Sequence, residues 1–263
     1  MTEREENDLE RLLRLAASEP AHRPEFYQRL LESTVYVLGT ANGGGGQTTL
    51  EAGSQVNLAQ WEKQDGSSAI PFFSSLELLQ QAIEEEQSYL ALPARSLFEM
   101  TEGATLYLNP RLPYGKEFVP EEVRGLLNGG VGGAPEQRTV EQDTEVLLGQ
   151  PAEYPARMVD SLTQLLAKHG NVKRAFLTLM HDRSVSEHPS LVVGIEAEGD
   201  IEPVMRECGQ VIGDTVSEGK AVDLYRIAEN DEGLSRYFVE QVEPFYQRRW
   251  GSRLRNFFKG GNA

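Results

Sequence analysis

Two stretches of the chain place charged and aromatic side chains where a recognition or acid–base site could form. Trp61-Glu62-Lys63-Gln64-Asp65-Gly66 sets an indole and several charges at the end of a predicted hairpin. Loop ends held on a rigid scaffold often carry binding residues. Glu196, Glu198, Asp200 and Glu202 form an acidic group farther on. Glu196 and Glu198 are two apart on a predicted strand and so share a face, an arrangement that could hold a cation or exchange protons. Asp200 precedes a predicted helix, where a carboxylate caps free amides and complements the helix dipole. That structural role also accounts for Glu202. Near the C-terminus, Phe245-Tyr246-Gln247-Arg248-Arg249-Trp250 leads into Arg253, Arg255 and Lys259, five basic groups within 12 residues. They could pair with the acidic N-terminal half, meet a partner, or face solvent. The candidate binding surface therefore comprises Trp61, Glu62, Asp65 and Arg95, and separately Glu196, Glu198, Arg248, Arg249 and Trp250. A small-molecule site would draw on Glu62, Asp65 and Arg95, or on Glu196, Glu198 and Arg249.

Other constellations fail on spacing or setting. Gly213-Asp214-Thr215-Val216-Ser217-Glu218-Gly219-Lys220-Ala221 has five residues between its glycines where a phosphate-binding P-loop has four. It also puts Ala221 where a magnesium-binding hydroxyl belongs. The glycines of 128–133 lack the G-x-G-x-x-G order, and no strand leads cleanly into them. The chain has no G-x-S-x-G elbow. Cys208 falls on the apolar face of a predicted helix, where a thiol acts as a small hydrophobe. His22, His169, His181 and His188 form no H-x-x-x-H pair, and His181, Asp182 and His188 in a polar turn are expected to be solvated. No catalytic residue, metal or cofactor is expected.

Composition narrows the classes further. The net charge of −16 argues against nucleic-acid binding, which needs basic groups to neutralise phosphates. Residues 1–150 hold 11 Lys and Arg against 24 Asp and Glu, whereas 151–263 hold 14 against 17, an asymmetry that suggests two units. No segment approaches the roughly 20 apolar residues that span a bilayer. An acidic N-terminus without an apolar signal core and a single cysteine point to a cytoplasmic protein without disulfides. The partner expected is an unidentified protein or a small metabolite, with neither nucleic acid nor membrane.

The elements that must position these residues are legible from periodicity. Leu9, Leu12, Leu13 and Ala16 predict a helix over 7–17, and Pro24 opens a second over 24–33. Strands follow at 34–38, 56–62 and 70–73. Ser74 and Glu77 have capping-box spacing before a helix to about 87. Strand 89–92, helix 94–100, strand 105–108 and helix 121–127 come next, and a strand near 144–148 closes the first domain. Beyond the linker at 150–155, helices are predicted over 158–170, 201–211 and 235–242, with strands at 172–180, 191–197 and 222–227. Short strands, hairpins and interspersed helices predict an α+β fold. Two domains, 1–150 and 151–263, should each pack helices on a short-stranded mixed or antiparallel sheet.

Several blocks carry a family resemblance. Trp61-Glu62-Lys63, Asp65-Gly66 and Ile70-Pro71-Phe72-Phe73-Ser74-Ser75-Leu76-Glu77 resemble the N-terminal domain of the enhanced serine sensitivity (SseB) family. Leu97-Phe98-Glu99-Met100-Thr101, Leu108-Asn109-Pro110 and Gly115-Lys116-Glu117-Phe118 are similar to the same domain. Val172-Lys173-Arg174-Ala175-Phe176, Gly194-Ile195-Glu196-Ala197-Glu198-Gly199-Asp200-Ile201 and Pro244-Phe245-Tyr246-Gln247-Arg248-Arg249-Trp250 resemble the second domain. The resemblance spans nearly the whole chain in order. It implies a bacterial protein linked to altered sensitivity to serine, without an assigned catalytic residue or cofactor. The expected function is a non-catalytic interaction or regulatory role, with a binder or enzyme for an amino acid or related metabolite as the alternative.

Overall fold

The computed structural model describes residues 5–41, 56–129, 146–182, 188–217, 220–228, 231 and 233–248. They fall into two units, residues 1–132 and 133–263.

In the first unit, the Asn7 side chain accepts from the Glu10 amide while the Glu10 carboxylate accepts from the Asn7 amide. This reciprocal capping starts α1 (Asp8–Ser18), which buries Leu9, Leu12, Leu13 and Ala16. A 3₁₀ turn (Pro20–His22) leads into α2 (Arg23–Glu32). The remaining elements are β1 (Thr34–Ala41), β2 (Val56–Leu58), β3 (Trp61–Glu62), β4 (Ser68–Phe73), α3 (Leu76–Ala82), β5 (Tyr89–Pro93), α4 (Ala94–Met100), β6 (Leu106–Leu108), β7 (Lys116–Phe118) and α5 (Pro120–Leu127). The sheet runs β2-β1-β4-β6-β7, with β5 also paired to β1 and β3 to β4. The β4–β6 ladder is parallel and the others antiparallel. Phe72, Phe98 and Phe118 meet at its centre with ring centroids 5.5–6.0 Å apart, the spacing aromatic rings favour.

The second unit contains β8 (Leu147–Gly149), α6 (Ala156–Leu166), β9 (Val172–His181), β10 (Ser190–Ala197), α7 (Glu202–Thr215), β11 (Val222–Arg226), α8 (Leu234–Gln241) and β12 (Tyr246–Gln247). Its sheet runs β11-β10-β9-β12, with β8 also on β9. Among the described residues, only the β10–β11 pair is parallel. Apolar faces of α6 and α7, which include Leu162, Leu165, Val204 and Val211, are buried, and the two helices pack together. Phe238 of α8 packs on Phe176 and stacks with Tyr225. Both sheets are mixed and neither closes into a barrel, so each unit is α+β as expected.

Four expectations need correcting. The strand read over 56–62 is two strands with different partners, β2 on β1 and β3 on β4. The cap of α3 is Ser75, whose hydroxyl accepts from the Leu78 amide, while Ser74 turns into a buried network. That helix also ends at Ala82, where Glu84, Glu85 and Glu86 follow; three acids beside the negative end of a helix dipole oppose its extension. Finally, the strand expected to close the first domain is β8, which pairs with β9 in the second sheet. The glycine runs at 43–46 and 130–133 lie outside the described residues.

Candidate functional site

At the C-terminal ends of the parallel strands β4 and β6, four polar side chains lock together. Glu10 Oε1 accepts from Ser74 Oγ at 3.0 Å and from Asn7 Nδ2 at 2.9 Å. Asn109 Oδ1 accepts from the Ser74 amide at 3.0 Å, and Asn109 Nδ2 donates to Ser74 Oγ at 3.0 Å. Glu10, Ser74 and Asn109 are all buried, and buried polar groups are tolerated where they satisfy one another. The loop leaving β6 is thereby held at its root.

That loop is constrained in its backbone as well. Asn109 and Arg111 have φ of 49° and 64°, a left-handed conformation uncommon outside glycine. Gly115, where the loop re-enters the sheet, has no room for a side chain; an added Cβ would stand 2.9 Å from the Asn109 carbonyl oxygen. The loop delivers the Arg111 guanidinium onto the face of Trp61, 4.4 Å from the ring centroid. The indole also packs edge-to-face with Phe73, ring centroids 6.1 Å apart. Beside them Lys63 Nζ pairs with Glu117 at 2.7 Å and with Asp65 at 3.6 Å. The Glu117 hydrogen bond, with Asp65 adding to it, raises the Lys63 pKa. Asp65 Oδ1 accepts from the hydroxyl and amide of Ser67, which pull its pKa down; it shapes the β3–β4 turn.

The expected first surface is thus only partly assembled. Trp61 and Asp65 sit at the hairpin, Glu62 is exposed on β3, and Arg95 is exposed on α4 without joining the cluster. The arginine that meets Trp61 is Arg111. Its signal was available in Asn109-Pro110-Arg111, an asparagine tolerant of positive φ at a strand end, but nothing in the pattern said which face it would return to.

In the second unit, Glu196 pairs with Arg174 directly across the β9–β10 ladder at 2.6 Å, and Arg174 also lies over Phe176 at 5.3 Å. The ladder shifts register after Glu196 and β10 ends at Ala197, so Glu198 does not share a strand face with Glu196. Glu198 faces Lys173 at 3.5 Å and Arg248 at 3.9 Å. Arg248 donates to the Gly170 carbonyl, and its amide donates to Lys173, fastening the chain after β12 to β9. Asp200 accepts from the Glu202 amide at 3.1 Å, the capping role expected of it. Arg249 and Trp250 lie outside the described residues.

With both surfaces laid out, their order along the chain can be compared with known proteins. A family model described as the SseB protein N-terminal domain matches residues 9–125, and one described as the SseB protein C-terminal domain matches residues 140–248. The chain belongs to the SseB family. It is 46% identical over 251 residues to Protein SseB of Escherichia coli (strain K12), covering 95% of this chain and 96% of that one. Protein SseB of Shigella flexneri matches at the same identity and coverage. No solved structure matches. The Trp61–Arg111 pair and its buried support from Glu10, Ser74 and Asn109 lie within the residues matched by the SseB N-terminal domain. Arg174, Glu196 and Glu198 lie within those matched by the SseB C-terminal domain, and Arg248 is its last matched residue.

Most other groups in this SseB-family chain are engaged structurally. Cys208 is fully buried, and burial raises its thiol pKa far out of the reactive range. Gly213 and Thr215 belong to α7 and not to a strand–helix loop. Asp231 accepts from Tyr225 Oη at 2.6 Å and from the amides of Gly233 and Ser235, which hold its pKa well below the usual carboxylate range. His169 pairs with Glu207 at 2.9 Å. His181 Nε2 is shut off from solvent without a hydrogen-bond partner among the described residues. Among those residues, no three His, Cys, Asp or Glu side chains group in a way that could hold a metal ion, and no helix is long and apolar enough to cross a membrane.

Proposed function

We propose that this SseB-family protein works in the cytoplasm as a non-catalytic interaction protein, and that the Trp61–Arg111 hairpin-and-loop surface is its principal contact. The observation that carries the reading is how the acidic side chains are employed. Asp65 shapes a turn, Glu196 and Glu198 neutralise neighbouring cations, and Asp231 holds the start of a helix. Arg111 and Trp61, by contrast, are brought together on a rigid support at the surface. Arginine and tryptophan are the side chains most enriched among residues that dominate protein interfaces. The lone buried thiol of Cys208 supports a reducing compartment.

Affinity capture from Escherichia coli extract tests this, with the full chain and Trp61→Ala as paired baits. A partner retained reproducibly by the wild type and lost by the variant is expected; no reproducible partner overturns the reading. A thermal-shift screen over amino acids decides against the metabolite alternative, since a ligand of the folded state raises the melting temperature by mass action. No shift at millimolar amino acid is expected, and a saturable shift would favour the alternative.

A further inference from the structure

Arg111 is exposed, and among the described residues its charge meets the indole face of Trp61. That contact holds the guanidinium over the ring, and no hydrogen bond among the described residues engages its N–H groups. In a chain with 41 acidic and 25 basic side chains, Arg111 has no carboxylate partner among the described residues, as Arg29, Arg95, Arg157 and Arg226 have none, and of these five it is the one held over an aromatic ring. Neighbouring Lys63 already has two, Glu117 and Asp65. The position of Arg111 is also imposed: left-handed backbone at both Asn109 and Arg111, the buried Asn109–Ser74–Glu10 network and the close approach at Gly115 all set its loop. Backbone strain of this kind persists where the surroundings over-determine it, and it concentrates at binding sites.

We propose that the partner presents an acidic side chain to Arg111, whose fork takes the carboxylate edge-on while Trp61 supports the guanidinium from beneath. This rests on the interaction reading above and adds the partner's chemistry. A planar guanidinium held in place accepts a carboxylate through two parallel hydrogen bonds, geometry that an ammonium cannot reproduce. The source is a protein segment and not a free acid, because the exposed hairpin and loop cover a ligand from one side only. Small-molecule sites enclose most of their ligand, whereas a protein brings its own cover. The acidic surroundings repel a second acidic chain at long range, so binding depends on reaching Arg111 itself.

A selection from random capped peptides tests the assignment on the full chain carrying Trp250→Phe, which leaves Trp61 as the single tryptophan. Selected peptides should be enriched in Asp and Glu and should change Trp61 emission saturably. Replacing the acid by Gln or Asn, or introducing Arg111→Gln, should weaken binding by about tenfold or more, the range of a charge-assisted pair. Arg111→Lys, which keeps the charge, should fail to rescue. Because Arg111 is exposed, both variants should melt as the wild type does, which separates lost binding from lost fold. Absence of binders, binders without acidic enrichment, or binders indifferent to Arg111→Gln would overturn the proposal. Saturation of Trp61 by free glutamate at the same affinity, dependent on Arg111, would overturn the protein source. A captured partner retained by Arg111→Gln would sink this assignment and leave the interaction reading standing.

Discussion

Asn109 does two jobs in its loop. Its amide group satisfies the buried Ser74 amide and hydroxyl, and its backbone adopts a left-handed φ that asparagine tolerates better than most residues. Asn109→Ala removes the acceptor and keeps the strain, so a loss of about 2–4 kcal/mol is expected from one unsatisfied buried donor and one left-handed residue. Urea denaturation measures it, and a loss under half that range would mean the network is dispensable. Asp231 offers a second residue-scale test. Its folded-state pKa lies below the unfolded value, so its contribution is in place above about pH 4 and is lost as pH falls further. Asp231→Ala should cost about 1 kcal/mol at neutral pH, typical for loss of a capping group, and the gap from wild type should close in acid. Tyr225 runs the other way: burial raises its pKa, so the folded state holds the phenolic proton and loses stability as pH climbs past the unfolded value of about 10.

At the scale of elements, helices were legible because their apolar spacing is set within one segment. α1, α4 and α6 appear where Leu9–Ala16, Ala94–Met100 and Met158–Leu166 predicted them. Pairing partners were not legible, since a strand's neighbour depends on distant residues. The run 56–62 reads as one strand, yet Val56 pairs with Ala41 and Trp61 with Ala69. β7 and β12, three and two residues long, carry too little pattern to be seen. Close approach between elements is testable at Gly194 on β10, where an added Cβ would lie 3.0 Å from two Phe238 ring carbons and 3.1 Å from Ile227 Cδ1. Gly194→Ala should destabilise the second unit by about 1–3 kcal/mol through overpacking, read as a lowered melting temperature. An unchanged melting temperature would mean α8 shifts freely over the sheet.

At the scale of the whole molecule, each unit has its own sheet, and the Phe72–Phe98–Phe118 and Phe176–Phe238 cores lie within separate units. Residues 1–132 expressed alone should therefore unfold in a single cooperative urea transition; a broad, non-cooperative loss of signal would show that the unit depends on the remainder. Class, the α+β character, most helices and the family were determined by the amino-acid sequence, because composition, periodicity and ordered blocks are properties of neighbouring residues. Tertiary structure alone decided that Arg111 and not Arg95 meets Trp61, that Glu196 and Glu198 part company, and that β8 joins the second sheet. Each of these depends on register and on loop conformation across long stretches of chain, where a shift of one residue turns a side chain to the opposite face.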